Sequence, residues 1–259
     1  MAFIRLTDLH VPAEETLFGL SPRARLGALI DVINAEHSDA EFVLITGDLT
    51  HAGSPAAYRA LSGMLARLKL PVHLMLGNHD ARKPFFETFD SPRDPNGFVQ
   101  FVIQTEGGPV ICLDTVDEGQ GSHGRLCPAR LDWLRQQIAA LPPGPWMLAM
   151  HHPPMDLGLA NMDRIKLRDG DTLWQVLAPR PPAQMLIGHV HRPISGAWHG
   201  VPFQIQPAVS HQVAYRATMT PKLMLADEPA ALSIVSFGTE GPLIQERRPG
   251  SEGLAFPNG

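Results

Sequence analysis

Ten polar side chains that can bind metal ions or transfer protons stand in short clusters along the first three quarters of the sequence. They are Asp8, His10, Asp48, Asn78, His79, Asp80, His151, His152, His189 and His191. Carboxylate oxygens, amide oxygens and imidazole nitrogens together suit borderline transition metals such as Zn, Mn, Fe and Co. The sequence therefore predicts metal chemistry, and the ligand types leave the identity of the metal open.

The spacing within the clusters indicates how they could bind ions. One residue separates Asp8 from His10, and one separates His189 from His191. In an extended chain such residues face the same side, so each pair could hold one ion or two adjacent ions. Asp48 stands alone after its apolar run, and a carboxylate can offer one oxygen to each of two ions. We therefore expect Asp48 to be the bridging ligand.

Short apolar runs precede the clusters, as is typical of buried strands that end at a site. The runs cover residues 3–6, 42–45, 72–76, 110–113, 146–150 and 185–187. Between some of them, Ser21-Pro22, Ser54-Pro55 and Pro128 each precede an apolar stripe with helical spacing. This alternation predicts an α/β layered domain, in which the carboxyl ends of neighbouring strands meet.

The pattern changes after His191. Residues 194–205 predict a β-hairpin, and residues 232–237 predict a further strand. We expect a core of residues 1–210 and a small C-terminal extension of residues 211–259. The sequence leaves open whether this extension packs on the core, caps the site or contacts another subunit of a homo-oligomer.

The ordered set of clusters resembles the five motifs of the calcineurin-like metallophosphoesterases. The matching segments are Asp8-Leu9-His10, Gly47-Asp48, Gly77-Asn78-His79-Asp80, His151 and Gly188-His189-Val190-His191. The longer stretch His151-His152-Pro153-Pro154 is similar to the bacterial branch that contains class III cyclic-nucleotide phosphodiesterases and glycerophosphodiesterases.

This resemblance implies a four-layer α/β/β/α sandwich and two metal ions, each Fe, Mn, Zn or Co. One ion would take Asp8, His10, Asp48 and His191, and the other Asp48, Asn78, His151 and His189. The resemblance also implies that His79 contacts the phosphate and protonates the leaving group, and that Asp80 orients His79. A hydroxide bridging the two ions would attack a small phosphodiester, such as 3',5'-cAMP or a glycerophosphodiester.

Composition narrows the classes of partner. The chain has 259 residues, 44% hydrophobic and 18% charged, with a formal net charge of -5. No basic surplus is available for a long nucleic acid, whereas a small anionic substrate is compatible with a local metal charge. Two cysteines do not predict a disulfide framework. We expect a cytoplasmic protein with no membrane partner, because neither a signal peptide nor an apolar run of spanning length is evident.

Several alternatives stay open at this point. The same metals could serve a phosphomonoesterase or a nucleotide pyrophosphatase, and a metal-dependent scaffold is the non-enzymatic alternative. A scaffold needs no acid, so His79 argues against it. We expect His152 to support its neighbour, and His123 and His211 remain candidates for substrate contact. Structural roles are expected for the remaining histidines, namely His37, His51, His73 and His199.

Overall fold

The computed structural model describes residues 2–215 and 224–250. The strands, in chain order, are β1 (Ala2–Leu6), β2 (Val43–Thr46), β3 (Val72–Met75), β4 (Phe101–Ile103), β5 (Val110–Leu113), β6 (Met147–Met150), β7 (Gln184–Ile187), β8 (Ile194–Trp198), β9 (Val201–Ile205), β10 (Gln212–Val213), β11 (Leu225–Ala226), β12 (Leu232–Gly238) and β13 (Gly241–Arg247). The α-helices are α1 (Pro22–Glu36), α2 (Pro55–Leu65), α3 (Arg82–Thr88), α4 (Pro128–Ala140) and α5 (Gly170–Leu177).

The first sheet has the strand order β13-β12-β1-β2-β3. β1, β2 and β3 run parallel, while β12 pairs antiparallel with β1 and β13 with β12. The strand predicted at residues 232–237 is therefore confirmed as β12, and it lies inside the sheet between β13 and β1. β12 and β13 fall within the expected extension of residues 211–259, and they supply two strands of this sheet.

The second sheet has the order β4-β5-β6-β7-β9-β8. β5, β6, β7 and β9 run parallel, and the two edge strands β4 and β8 are antiparallel to their neighbours. The predicted hairpin is confirmed as β8 and β9. β10 and β11 form a separate two-stranded ribbon.

Alternating side chains place the two sheets face to face between two helical layers. In β5, Cys112 joins the hydrophobic cluster shared with β1, β2, α1 and α2, whereas Ile111 and Leu113 join the cluster that contains α4 and α5. This alternation follows from the two-residue period of a strand. The α/β/β/α sandwich is thus confirmed.

Three of the helices, α1, α2 and α4, begin where the sequence predicts. Ser21 and Ser54 accept hydrogen bonds from the backbone amides of Ala24 and Ala57, both at 3.2 Å, and each is followed by a proline in the first turn. Within the described ranges, none of the helices has the length and apolarity needed to cross a membrane. The compartment stays a prediction.

Candidate metal centre

The loops that follow β1, β2 and β3 of one sheet meet the loops that follow β6 and β7 of the other. The structure thus brings together the polar clusters that lie far apart in sequence. Six of the predicted site residues line one cleft of about 240 Å³. They are His10, Asp48, Asn78, His79, His189 and His191. Asp8 and His151 are fully buried beside them.

One group of donor atoms comes from Asp8, His10, Asp48 and His191, all within 4.8 Å of one another. His10 Nε2 lies 3.2 Å from Asp48 Oδ2 and 3.0 Å from His191 Nε2, and His191 Nε2 lies 3.3 Å from Asp8 Oδ1. Such separations match ligands that share a central ion at bond lengths of roughly 2.0–2.2 Å. These four residues therefore fit a transition-metal site.

The other oxygen of Asp48 faces His151, and Asn78 and His189 line the same cleft as Asp48. His151 Nε2 lies 3.4 Å from Asp48 Oδ1, and His189 lies against His151 with 5.1 Å between the ring centroids. Asn78 Oδ1, His151 Nε2 and His189 Nε2 are buried without a hydrogen-bond partner among the described residues. Buried polar atoms normally have a hydrogen-bond partner. These three atoms without one are therefore suited to be ligands of a second cation.

Backbone carbonyls fix the orientation of two histidine rings. His151 Nδ1 lies 2.9 Å from the carbonyl oxygen of Thr46, and His191 Nδ1 lies 2.8 Å from that of His211. A neutral ring that donates through Nδ1–H presents the lone pair of Nε2. Both rings are therefore held in the tautomer that binds a metal through Nε2.

The buried charges shift the protonation of these ligands. Burial alone would raise the pKa of Asp48, but His151 and His10 hold it well below its usual range. Burial lowers the pKa of His10 to about 4 and, with His151, that of His189 to about 3. Burial would also lower the pKa of His151, but the carboxylates of Asp48 and Asp8 outweigh this effect and raise the pKa to about 9. Without a metal, His151 thus carries a proton that a cation would have to displace.

The backbone at the paired ligands is not extended, contrary to the expectation from their spacing. Asp8 and His10 have φ of 53° and 42°, and His189 and His191 have φ of 72° and 54°. Asp48 follows the same pattern with φ of 50°. Left-handed torsions are uncommon outside glycine, although Asp and His tolerate them better than most residues. The ligands converge because the chain turns at each of them.

Glycines next to the ligands allow this close packing. Gly47 has φ of 98°, as expected for a tight turn. At Gly188 a side chain is excluded, because a Cβ atom there would lie 2.4 Å from Thr7 Oγ1. At Gly77 a Cβ atom would lie 2.2 Å from Asp48 Oδ1. A side chain at Gly77 would therefore occupy the space beside the central carboxylate.

The partner of His79 differs from the expectation. His79 Nδ1 donates to the carbonyl oxygen of His51 at 2.7 Å, and the two rings stack with 5.2 Å between centroids. Asp80 instead accepts hydrogen bonds from the amides of Leu49, Thr50 and Gly77 at 3.0–3.1 Å, so it joins the loops after β2 and β3. The hydrogen bonds of Asp80 thus support these loops, and the carbonyl oxygen of His51 is the partner described for His79 Nδ1.

Other histidines complete the site. His51, expected to be structural, lines the cleft, and so does His211. The signal that could have identified His51 is its position on the same strand-end loop as Asp48. His152 brings a ring nitrogen within 4.8 Å of those of His151 and His189. His123 is buried against Asp117 with 3.1 Å between Nε2 and Oδ2 and does not line the cleft.

An α/β/β/α sandwich with His, Asp and Asn donors at its strand ends defines a class of metal-dependent phosphoesterases. The family model for calcineurin-like phosphoesterases matches residues 1–193. The chain belongs to this family and is a phosphoesterase, as the sequence predicted.

Individual relatives agree with this assignment. The chain is 43% identical over 251 residues to a probable cyclic nucleotide phosphodiesterase of Rhodopseudomonas palustris, covering 95% of this chain and 92% of that protein. It is 28% identical over 201 residues to the 3',5'-cyclic adenosine monophosphate phosphodiesterase of Escherichia coli K12, covering 76% of this chain and 72% of that one.

Among solved structures, a purple acid phosphatase from yellow lupin seeds superimposes with a TM-score of 0.66 at 12% identity. The match covers 98% of this chain and 52% of that chain, so this chain spans about half the length of the plant structure. A likeness at this identity reflects the shared fold.

Proposed function

We propose that this protein is a dinuclear metal-dependent phosphodiesterase that hydrolyses small phosphodiesters, with 3',5'-cyclic nucleotides as its substrates. The observation that carries the proposal is the position of Asp48, whose Oδ2 faces His10 at 3.2 Å while its Oδ1 faces His151 at 3.4 Å. A carboxylate between two donor groups is what a bridging ligand requires. The names of the two curated relatives described above support the substrate class.

In this proposal one ion is held by Asp8, His10, Asp48 and His191, and the other by Asp48, Asn78, His151 and His189. Bound cations would neutralise the charge of the diester and lower the pKa of a water molecule to about 7. Fe, Mn, Zn and Co all remain candidates, because each accepts these donors.

His79 supplies the proton in the proposed reaction. Its Nδ1–H donates to the carbonyl oxygen of His51, so Nε2 is the nitrogen left to face a substrate in the cleft. Protonated at Nε2, the ring can donate to the oxygen that leaves phosphorus. Because its amide also donates to Asp48 Oδ1 at 2.9 Å, His79 is positioned against the central carboxylate.

The test is a substrate panel on protein reconstituted with Mn or Zn. We expect bis(p-nitrophenyl) phosphate to be hydrolysed faster than p-nitrophenyl phosphate, and 3',5'-cAMP to be opened to a nucleoside monophosphate. Asp48→Asn should lower activity by more than about 100-fold, beyond the usual cost of a change outside the ligand shell. Faster turnover of the monoester, or an Asp48→Asn variant with two bound metals and native turnover, would overturn the proposal.

A further inference from the structure

Phe18 occupies a position in the cleft that its residue type does not favour. Leu17 and Leu20 exchange two backbone hydrogen bonds, at 2.8 and 2.9 Å, around a two-residue turn. Both central residues have positive φ, 53° at Phe18 and 80° at Gly19. Turns of this kind favour Asn, Asp or Gly at the first central position, because a larger side chain is strained there.

The ring of Phe18 gains little from packing within the chain. Its side chain is 60% exposed, and it meets His51 and His211 at right angles with centroid distances of 5.5 and 5.6 Å. A single exposed apolar side chain is ordinary on a protein surface. Exposure combined with backbone strain, in a residue that lines the cleft, indicates that a ligand supplies the missing contact.

The surroundings of Phe18 define what that ligand would be. A row of rings leads from His79 through His51 to Phe18, with centroid distances of 5.2 and 5.5 Å. Other apolar side chains, including Ile165 and Leu225, line the same cleft. The cleft thus has metal-binding donors on one side and an apolar rim on the other, which fits a substrate with an anionic phosphate and a flat aromatic ring.

We infer that Phe18 is the stacking surface for the nucleobase of the substrate and selects nucleoside diesters over aliphatic diesters. The inference rests on the proposed function, since a base reaches Phe18 only when its phosphate lies at the metal centre. Aromatic side chains bind bases of any sequence because every base has a π-face. An aliphatic diester, such as a glycerophosphodiester, has no such face to offer.

The test compares Phe18→Ala and Phe18→Trp on two substrates, 3',5'-cAMP and glycerophosphoethanolamine, with metal content measured for each protein. Phe18→Ala should raise KM for 3',5'-cAMP by about 5- to 150-fold, the range of one lost base–aromatic contact. KM for the aliphatic diester should change by less than about 2-fold, and Phe18→Trp should bind 3',5'-cAMP as well as the wild type. Leu243→Ala is the matched control, because Leu243 is 55% exposed on β13 and does not line the cleft.

A binding measurement gives the same comparison without turnover. The metal-loaded proteins are titrated by calorimetry with 5'-AMP and with glycerol 3-phosphate. We expect Phe18→Ala to bind 5'-AMP more weakly than the wild type does and to bind glycerol 3-phosphate with unchanged affinity. Equal losses on both ligands would mean that Phe18 only supports its loop, and unchanged 5'-AMP affinity would mean that the ring does not touch the base. Either result overturns the inference while leaving the phosphodiesterase intact. If the wild-type protein held its metals and hydrolysed neither diester, the proposed function would be wrong. The inferred base site would then be wrong as well, since it rests on that function.

Discussion

The backbone of five proposed ligands adopts torsions that most L-amino acids avoid. Asp8, His10, Asp48, His189 and His191 have φ between 42° and 72°. Torsions of this kind cost on the order of 1–3 kcal/mol each and persist only where the surrounding structure enforces them. Hydrogen bonds between the ligands hold these torsions in place. The backbone amide of His189, for example, donates to the carboxylate of Asp8 at 3.1 Å. The donor atoms are therefore positioned by the fold itself.

At the scale of single residues, His79→Ala tests whether this ring donates a proton or binds a metal. We expect both metals to remain and kcat for an alkyl diester to fall by about 100- to 10,000-fold, the usual contribution of a general acid. Nitrophenolate leaves without a proton, so a nitrophenyl diester should lose less. The measurement is the ratio of wild-type to variant kcat on the two substrates, with metal content determined on the same samples.

His73→Ala is a matched control for that variant. His73 contacts Phe42 and Phe101 near the start of β3, away from the cleft, with ring centroids 5.1 and 6.0 Å apart. It should leave the ratio between the substrates unchanged. Equal losses on both substrates in His79→Ala would indicate electrostatic binding of the phosphate, and loss of metal would place His79 among the ligands.

The residue types of the site could be predicted from the sequence because each motif is local. Asn78 and Asp48 stand out because each lies within three residues of the end of an apolar run. The hydrogen bond from His79 to His51 could not be predicted in this way. It joins loops that follow different strands, and its formation depends on how β2 and β3 are paired in the sheet.

At the scale of elements, the turns between strands and ligands depend on glycines with no room for a side chain. A Cβ atom on Gly77 would lie 2.2 Å from Asp48 Oδ1 and 2.4 Å from its amide nitrogen. Gly77→Ala should therefore displace the central carboxylate, release metal and lower the free energy of unfolding by about 1–3 kcal/mol, as overpacking does.

Gly63→Ala provides the contrast, because Gly63 lies within α2 and a Cβ atom there meets nothing within 4 Å. This variant should keep its metals and gain about 0.5–1 kcal/mol of stability. Metal analysis and denaturant unfolding of both variants decide the matter. Native metal content in Gly77→Ala would show that the loop can move aside and that the close approach is not needed.

Helices α1 and α2 and most of the parallel strands could be predicted at this scale, since Ser-Pro caps and apolar runs are local signals. The place of β12 could not be. Its residues 232–238 form an antiparallel ladder with β1 at the opposite end of the chain, with Ala2 opposite Ser236. Apolar residues in a strand predict burial, but they do not specify which neighbour the strand pairs with. β12 and β13 therefore belong to the core sheet for a reason that local patterns do not contain.

At the scale of the whole molecule, a buried arginine links the two sheets beneath the site. Arg5 of β1 is fully buried and donates to Gln204 Oε1 of β9 at 2.6 Å, to the carbonyl oxygen of Ile187 in β7 and to Thr46 Oγ1. A buried cation is tolerated only when its donors are satisfied. The sandwich provides these acceptors from both sheets, so the relative position of the sheets and that of the ligand loops are coupled.

Because the ligands from both sheets share one buried cluster of charges, the protonation of the site depends on whether metal is bound. Burial would lower the pKa of His151, but Asp48 and Asp8 raise it from 6.5 to about 9. A raised pKa in the folded state contributes stability that is fully present below about pH 6.5 and is lost as the pH rises toward 9. The metal-free protein should therefore lose stability over this interval.

The metal-bound protein should behave differently, because a cation binds the neutral imidazole and must displace the proton of His151. Metal affinity should therefore rise with pH up to about 9, and the difference in Tm between metal-loaded and chelator-treated protein should widen over the same interval. Calorimetry in buffers of different ionisation enthalpy should register proton release on binding at neutral pH.

His73→Gln should keep this pH dependence of metal affinity, since His73 lies outside the cleft, whereas His151→Gln should lose most of it. If the difference in Tm stayed constant with pH in the wild type, His151 would be neutral before the metal binds, and the two aspartates would not be holding its proton.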